Sequence, residues 1–276
     1  MSAVREPMIV RWGLTAAAVL VLLLLVVLPV ANVFANALGD GASVYWSHLS
    51  DPDTLHAIGL TLSVAACAVL LNALFGLAAA WTIARFRFPG RTVLVTLIDL
   101  PFSVSPVVAG LIFVLLFGAQ GWFGPWLRAN GLQVLFAWPG LVLTTTFVTL
   151  PFVARELIPV MEAIGPDEEL AAVSLGAKPH QLFWLVILPN IKWGLLYGLI
   201  LCNARAMGEF GAVYVISGRI PGETLTMPLR VEMLYQDGEL TAAFAVASML
   251  TVLSLATLIL KVMVERFSRR AQRDQA

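Results

Sequence analysis

Arg205 and Glu209 sit four residues apart in an apolar run, 191–216, that otherwise suits lipid. Side chains at that spacing share one face of a helix. Each charge alone in hydrocarbon costs roughly 2.5–3.5 kcal/mol on insertion scales, so the pair must face a bundle interior or water. A guanidinium is a planar donor fork that matches tetrahedral oxyanions, whereas a glutamate repels an anion and is suited to holding the arginine. Two readings stand: an ion pair that fixes this helix against its neighbours, or part of a polar path and its gate. Gly208, Phe210 and Gly211 belong to the same stretch, "NARAMGEFGAVYVISGRI". Its two glycines permit close helix approach and local bending.

A second candidate is "DLPFSVSPVVAG", 99–110. Asp99, Pro101 and Pro106 interrupt the helical pattern, and Ser105-Pro106 reads as a cap followed by a first-turn proline. A half-helix starting there aims free amides and a positive dipole end into the membrane, a plausible oxyanion-recognition element. Asp99, Ser103, Ser105 and Pro106 are its residues. The competing reading is a kinked packing helix. No nucleophile–base pair, paired acids or phosphate-binding glycine loop is present, so no catalytic residue is expected. His48, His56 and His180 have no metal-ligand spacing, and Cys67 and Cys202 read as small buried hydrophobes. No metal or cofactor of the chain's own is expected.

The elements that must position these residues are membrane helices. Of 276 residues, 59% are hydrophobic and 12% charged, and mean hydropathy is +0.88. A water-soluble domain could not hide so much apolar surface. Formal net charge is zero, which gives no argument for nucleic acid. The first apolar run, about 12–34, exceeds a signal-peptide core and reads as a retained first span. Six stretches reach the length a helix needs to cross the bilayer: about 12–34, 57–84, 92–118, 135–154, 191–216 and 240–264. They lack the dyad alternation of barrel strands. The expected fold is a single all-α membrane domain, 1–276.

Lysine and arginine placement sets the direction. Arg5, Arg11, Arg85, Arg87, Arg91, Arg155, Lys178, Lys192, Lys261, Arg266, Arg269, Arg270 and Arg273 fall on one side. Only Arg128, Arg219 and Arg230 fall on the other, so both termini are expected in the cytoplasm. Trp12, Trp46, Trp122, Trp126, Trp138 and Trp193 lie near span ends, as interfacial anchors do. The external segment 119–134 suits a turn or an interfacial helix.

The inner link 155–190 is long: "RELIPVMEAIGPDEELAAVSLGAKPHQLFWLVILPN". Gly165-Pro166 followed by Asp167, Glu168 and Glu169 is a helix start, with acids against the dipole. Gly176 is placed to end that helix in a left-handed cap. Pro179 opens a second short helix whose Leu182, Phe183, Val186 and Ile187 would pack on the bundle, and Pro189 is expected to close it. The product is a helix across the membrane surface followed by a glycine turn, shaped to seat in a cleft of another protein.

"AAVSLGAKPHQLFWLVILP" resembles the motif shared by permease subunits of bacterial ATP-binding-cassette importers. That motif is Glu-Ala-Ala, three residues, glycine, nine residues, isoleucine, one residue, Leu-Pro. Ala171, Ala172, Gly176, Val186, Leu188 and Pro189 match it, with Val186 in place of isoleucine. Leu170 stands where the glutamate usually is, and Glu169 comes one residue earlier, about 100° round a helix. The segments "DPDTLHAIGLT", "DLPFSVSPVVAGLIFVLLFGAQGW", "PFVARELIPVM", "LPNIKWGLLYG" and "NARAMGEFGAVYVISGRIPGETLTMPL" resemble W-type permeases of sulfate/thiosulfate importers. Molybdate and tungstate relatives share the Arg-x-x-Gly-Glu-Phe-Gly core met by Arg205, Gly208, Glu209, Phe210 and Gly211.

The resemblance implies a type I importer fold of six spans with a cytoplasmic coupling helix, in the bacterial inner membrane. It implies that Glu169, Ala171, Ala172, Gly176, Ala177 and Pro189 belong to the contact with an ATPase. ATP and Mg would be used by that partner. The implied partners are a T-type permease, two copies of the ATPase and a periplasmic sulfate- or thiosulfate-binding protein. Arg205 and Glu209 would then line or latch the path of a divalent oxyanion. Against this stand a self-contained channel or secondary anion transporter, for which Arg205, Glu209 and Asp99 are a thin supply of coupling groups, and a membrane-embedded enzyme, which lacks a nucleophile or metal set.

Overall fold

The computed structural model describes residues 8–273. Arg5 and the side chains of Arg269, Arg270 and Arg273 lie outside the described residues. Among those described, all regular structure is helical. Five helices are long and apolar enough to cross a membrane, and a sixth crossing is a bent pair.

The first rod is α1 (Met8–Leu22), a π turn (Leu23–Val27) and α2 (Leu28–Ala37). A short α3 (Ala42–Leu49) leads to α4 (Pro52–Arg85), whose start is fixed by Pro52 and by Asp51 accepting the Thr54 N–H at 3.1 Å. Then come α5 (Arg91–Ser103), α6 (Pro106–Phe117), the short α7 (Gly124–Ala129) and α8 (Trp138–Ile164). The surface helix α9 (Asp167–Ser174) is followed by α10 (Pro179–Leu182), a second π turn (Phe183–Ile187) and α11 (Leu188–Met207). The chain ends with α12 (Gly211–Ile216), α13 (Met227–Gln236) and α14 (Leu240–Arg273).

The most enclosed of the long helices is α8, and the α1–α2 rod is the least. Lipid tails give no hydrophobic drive between helices, so close approach depends on small residues and buried polar links. The α4–α8 contact has both. A Cβ on Gly76 would come within 2.8 Å of the Val153 side chain. Asn72, fully buried, donates to Thr149 Oγ1 at 2.7 Å and to the Thr146 carbonyl at 3.2 Å.

Four expectations need correction. The fourth span does not end near 154: α8 continues to Ile164 and stops at Gly165, whose φ of +73° ends the helix. Arg155 therefore sits inside a helix, where Asp99 neutralises it. The fifth span, expected as one helix over 191–216, breaks at 208–210. Pro189 does not close a short helix. The chain passes from α10 through the π turn into α11, with the Leu188 N–H reaching the Phe183 carbonyl. That wider turn makes room for a proline ring that would clash with the carbonyl one α-turn back. Leu28-Pro29 repeats the device after the first π turn. Finally, α3 and α13 have no counterpart among the expected helices. Both are short and are held by contacts distant in sequence, such as the Met227 N–H on Thr61 Oγ1 at 2.8 Å.

Candidate functional site

Both candidate segments contain a real helix break, and the two breaks meet. Across 104–105 the chain turns by 110° between α5 and α6. Pro106 occupies the first turn of α6, where its missing N–H costs nothing. Ser105 precedes it but makes no side-chain cap. The second half-helix, α12, starts at Gly211 and packs across α6. A Cβ on Gly110 would meet the Ala212 carbonyl oxygen at 2.8 Å and Val215 Cβ at 2.9 Å. One on Gly211 would approach Pro106 Cβ at 3.2 Å. Only glycine allows backbones this close. Ala109, Ala212 and Val148 of α8 seal the crossing.

Arg205 lies in the last turn of α11, and the helix ends at Gly208. Glu209 therefore stands beyond the helix rather than on its face, and bridges the break. Its Oε2 is 2.6 Å from Arg205 Nη1, a charge contact without hydrogen-bond alignment. Its Oε1 accepts the N–H of Ala212 at 3.1 Å, in the first turn of α12. Glu209 is 3% exposed, while about a third of the Arg205 side chain is open. A carboxylate so buried persists only when its oxygens are paired. Gly208 and Phe210 are exposed beside it.

Asp99 lies within α5 rather than at the break. It takes a two-pronged contact from Arg155 of α8, Nε to Oδ1 at 2.6 Å and Nη2 to Oδ2 at 2.8 Å. The Arg155 guanidinium also covers the Phe102 ring at 5.4 Å. Ser103 and Ser105 are exposed at the bend. Pro106 and Gly211 are thus brought together, whereas Asp99 is tied to a different partner.

At the other site, α9 begins after Pro166 with Asp167, Glu168 and Glu169 in its first turn. It ends in a double-bonded left-handed cap: the Gly176 N–H reaches the Val173 carbonyl at 2.9 Å and the Ala177 N–H reaches Ala172 at 3.0 Å, with Gly176 at φ +85°. Leu182, Phe183 and Ile187 pack under the bundle. Ala171, Gly176 and Pro189 are exposed, and Ala172 and Ala177 half-buried. Leu170 and Leu175 are 62% and 87% exposed, an apolar surface on a helix otherwise rich in acid. Glu169 turns inward instead, and its Oε1 lies 2.7 Å from Arg85 Nη2.

Comparison with known proteins then decides the family. Residues 53–273 match the model of the binding-protein-dependent transport system inner membrane component. The chain belongs to that family. Within it, this permease is 48% identical over 269 residues to the sulfate transport system permease protein CysW of Escherichia coli strain K12, covering 96% of this chain and 92% of that protein. It is 37% identical over 248 residues to the sulfate transport system permease protein CysT of the same strain, covering 90% of each. Its fold matches a subunit of a bacterial alginate ABC transporter solved in complex with an alginate pentasaccharide-bound periplasmic protein. There the TM-score is 0.73 at 17% identity, over 95% of this chain and 94% of that one.

Two residues of this permease escaped the sequence reading. Arg155 is read there only as an orientation charge, although a lone Asp99 inside a span demands a cation within reach. Arg85 is likewise read as an interfacial charge, yet its side chain is only 11% exposed. Its single signal is its place at the last turn of α4, beside the long inner link.

Proposed function

We propose that this chain is one permease subunit of an ATP-driven importer of sulfate or thiosulfate in the bacterial inner membrane. The observation that carries this is the 48% identity to a sulfate permease over nearly the whole of both chains. The subunit pairs with a second, T-type permease, a reading supported by its 37% likeness to such a protein. It works with two copies of an ATPase and with a periplasmic sulfate- or thiosulfate-binding protein. ATP and Mg are used by the ATPase, and this chain holds no cofactor or metal of its own. Both termini face the cytoplasm, in keeping with the arginine and lysine distribution.

On this reading α9 seats in a groove of the ATPase through its apolar residues and the turn at Gly176. Ala171, Ala172, Ala177 and Pro189 shape the same surface. The translocation path runs along the crossing of α6 and α12. Arg205 is its cation, and Glu209 holds that cation while capping α12. Gly208, Phe210 and Gly211 form the break, and Ser103, Ser105 and Pro106 form the facing one. Asp99 acts one step away, by joining α5 to α8 through Arg155. A divalent oxyanion meets donors here without a deep well. That suits conduction, in which a bound ion must also leave.

The test is ATP hydrolysis by the reconstituted complex with its binding protein. Sulfate or thiosulfate should stimulate it, and molybdate, tungstate and selenate should compete weakly. Stimulation by molybdate or tungstate alone would transfer the chain to those relatives. Anion uptake by this chain alone in liposomes would favour a stand-alone transporter.

A further inference from the structure

We propose that Arg85 is a positioning residue that welds α9 to α4 and α8, so that force on α9 enters the bundle through α4 as a rigid strut. The inference rests on the importer reading above. Arg85 is the last residue of α4. Its Nε donates to Glu169 Oε1 at 2.8 Å, its Nη1 to the Met161 carbonyl at 2.7 Å and its Nη2 to the Gly165 carbonyl at 2.8 Å. One guanidinium thus joins the end of α4, the end of α8 and the first turn of α9. The planar fork can satisfy three directions at once, which an ammonium on a flexible stem cannot do in the same geometry. The Arg85 and Glu169 side chains are 11% and 16% exposed, so water screens this pair far less than a surface one.

What lies beyond each candidate strut decides between them. α4 runs unbroken for 34 residues, about 50 Å at 1.5 Å per residue. At its far end Asp51 Oδ2 accepts from Arg230 Nη2 at 3.0 Å, and farther along the helix Thr61 Oγ1 accepts the Met227 N–H at 2.8 Å. Both contacts hold α13. A displacement of α9 is therefore carried to α13 at the opposite end. The rod α11 also begins near α9, where Asn190 Nδ2 donates to Glu168 Oε2 at 2.5 Å. It is entered through a π turn and breaks at Gly208, so it transmits less. With Glu169 engaged inside its own chain, the groove-facing part of α9 is left to Leu170, Val173 and Leu175, all exposed.

The experiment uses the complete lipid-reconstituted importer and three variants: Arg85→Lys, Glu169→Gln, and Glu169→Leu combined with Leu170→Glu. The last moves the carboxylate to the exposed position. Hydrogen exchange over 167–176 measures the weld, and the ratio of sulfate-stimulated to basal ATP hydrolysis measures coupling. Arg85→Lys and Glu169→Gln should keep the ATPase bound, and all three variants should exchange roughly tenfold faster over 167–176 and show a stimulation ratio falling toward one. A displaced-carboxylate variant with wild-type stimulation would mean that the glutamate acts on the ATPase, and would overturn the proposal. Unchanged exchange in Glu169→Gln would overturn it too. A wild-type complex that ignores sulfate would refute the importer reading instead, while the exchange data would still decide the weld.

Discussion

The crossing of α6 and α12 makes a prediction whose sign can be worked from distances. In Gly110→Ala, the new Cβ lies 2.8 Å from the Ala212 carbonyl oxygen and 2.9 Å from Val215 Cβ. Ordinary contact starts at 3.4 Å, so the two half-helices must separate by about 0.6 Å. The nearest atom is backbone, so no rotamer change relieves it. Overpacking of this kind costs about 1–3 kcal/mol, and better helix propensity returns at most about 1 kcal/mol. The net expectation is a loss of about 1–2 kcal/mol, which is roughly a 5- to 30-fold fall in the folded-to-unfolded ratio. Gly59→Ala supplies the control. Gly59 lies inside α4, and nothing stands within 4 Å of its Cβ position. The same substitution there should be neutral or stabilising by up to about 1 kcal/mol. The assay is reversible denaturant unfolding of the purified chain in detergent or bicelles, run in parallel with uptake by the assembled complex. Opposite signs for the two alanines are expected, with uptake reduced only in Gly110→Ala. A Gly110→Ala protein as stable as wild type would show that the half-helices do not touch as described, and the proposed path would lose its framework.

Glu209→Ala should reduce membrane accumulation of the chain more than Glu209→Gln, because glutamine can still accept the Ala212 N–H that Glu209 holds at 3.1 Å; quantitative blotting of membranes checks the order, and both should slow uptake by freeing Arg205. Asp99→Asn and Arg155→Gln should each destabilise the α5–α8 contact, while the double variant costs less than the sum, since each single change strands a charge inside a span; a double-mutant cycle on unfolding should give a coupling of about 0.5–3 kcal/mol. Gly176→Ala should cost about 1–2 kcal/mol locally, because an L-residue is strained at φ +85°. ATPase retention on a column checks it, and should fall, whereas Gly131→Ala, equally strained at φ +66° but in the external segment 119–134, should leave retention unchanged.

Much of this was open to a reader of the sequence, for physical reasons that can be named. Gly176 sits after a helical stretch and before Pro179, and a left-handed cap is the cheapest way to stop a helix there. Pro106 behind Ser105 marks a helix start wherever it occurs, and the 110° bend follows it. The break at Gly208 was less visible, because hydropathy does not fall there and Glu209 at four residues from Arg205 looks like an ordinary helical pair. What ends α11 is a long-range fact: α12 must lie across α6 with Gly211 on Pro106, and a straight helix cannot reach that position. Pro189 misled for a similar reason. Proline excludes the usual helical bond, but a π turn at Phe183–Ile187 absorbs it, and local sequence does not distinguish a stop from a widened turn. Arg155 and Arg85 look like orientation charges alone, because their partners Asp99 and Glu169 lie 56 and 84 residues away.

If Arg205 is the cation of an anion path, as proposed, a buried glutamate beside it looks self-defeating, and the geometry explains why it is not. An unpaired Arg205 in a low-dielectric crossing would hold a divalent oxyanion too tightly to release it, since attraction between charges grows as water is excluded. Glu209 brings the local charge near zero while leaving about a third of the arginine side chain open. Its second oxygen is occupied by the Ala212 N–H, so it cannot swing toward the open side without uncapping α12. The carboxylate is thereby kept behind the arginine, away from an incoming anion. Any movement that separates α11 from α12 would stretch the 2.6 Å contact and strengthen the field of Arg205. Closing the break would weaken that field again. On the proposed path, affinity for the anion would thus be tied to the break itself: a chain opening there would bind, and one closing there would release.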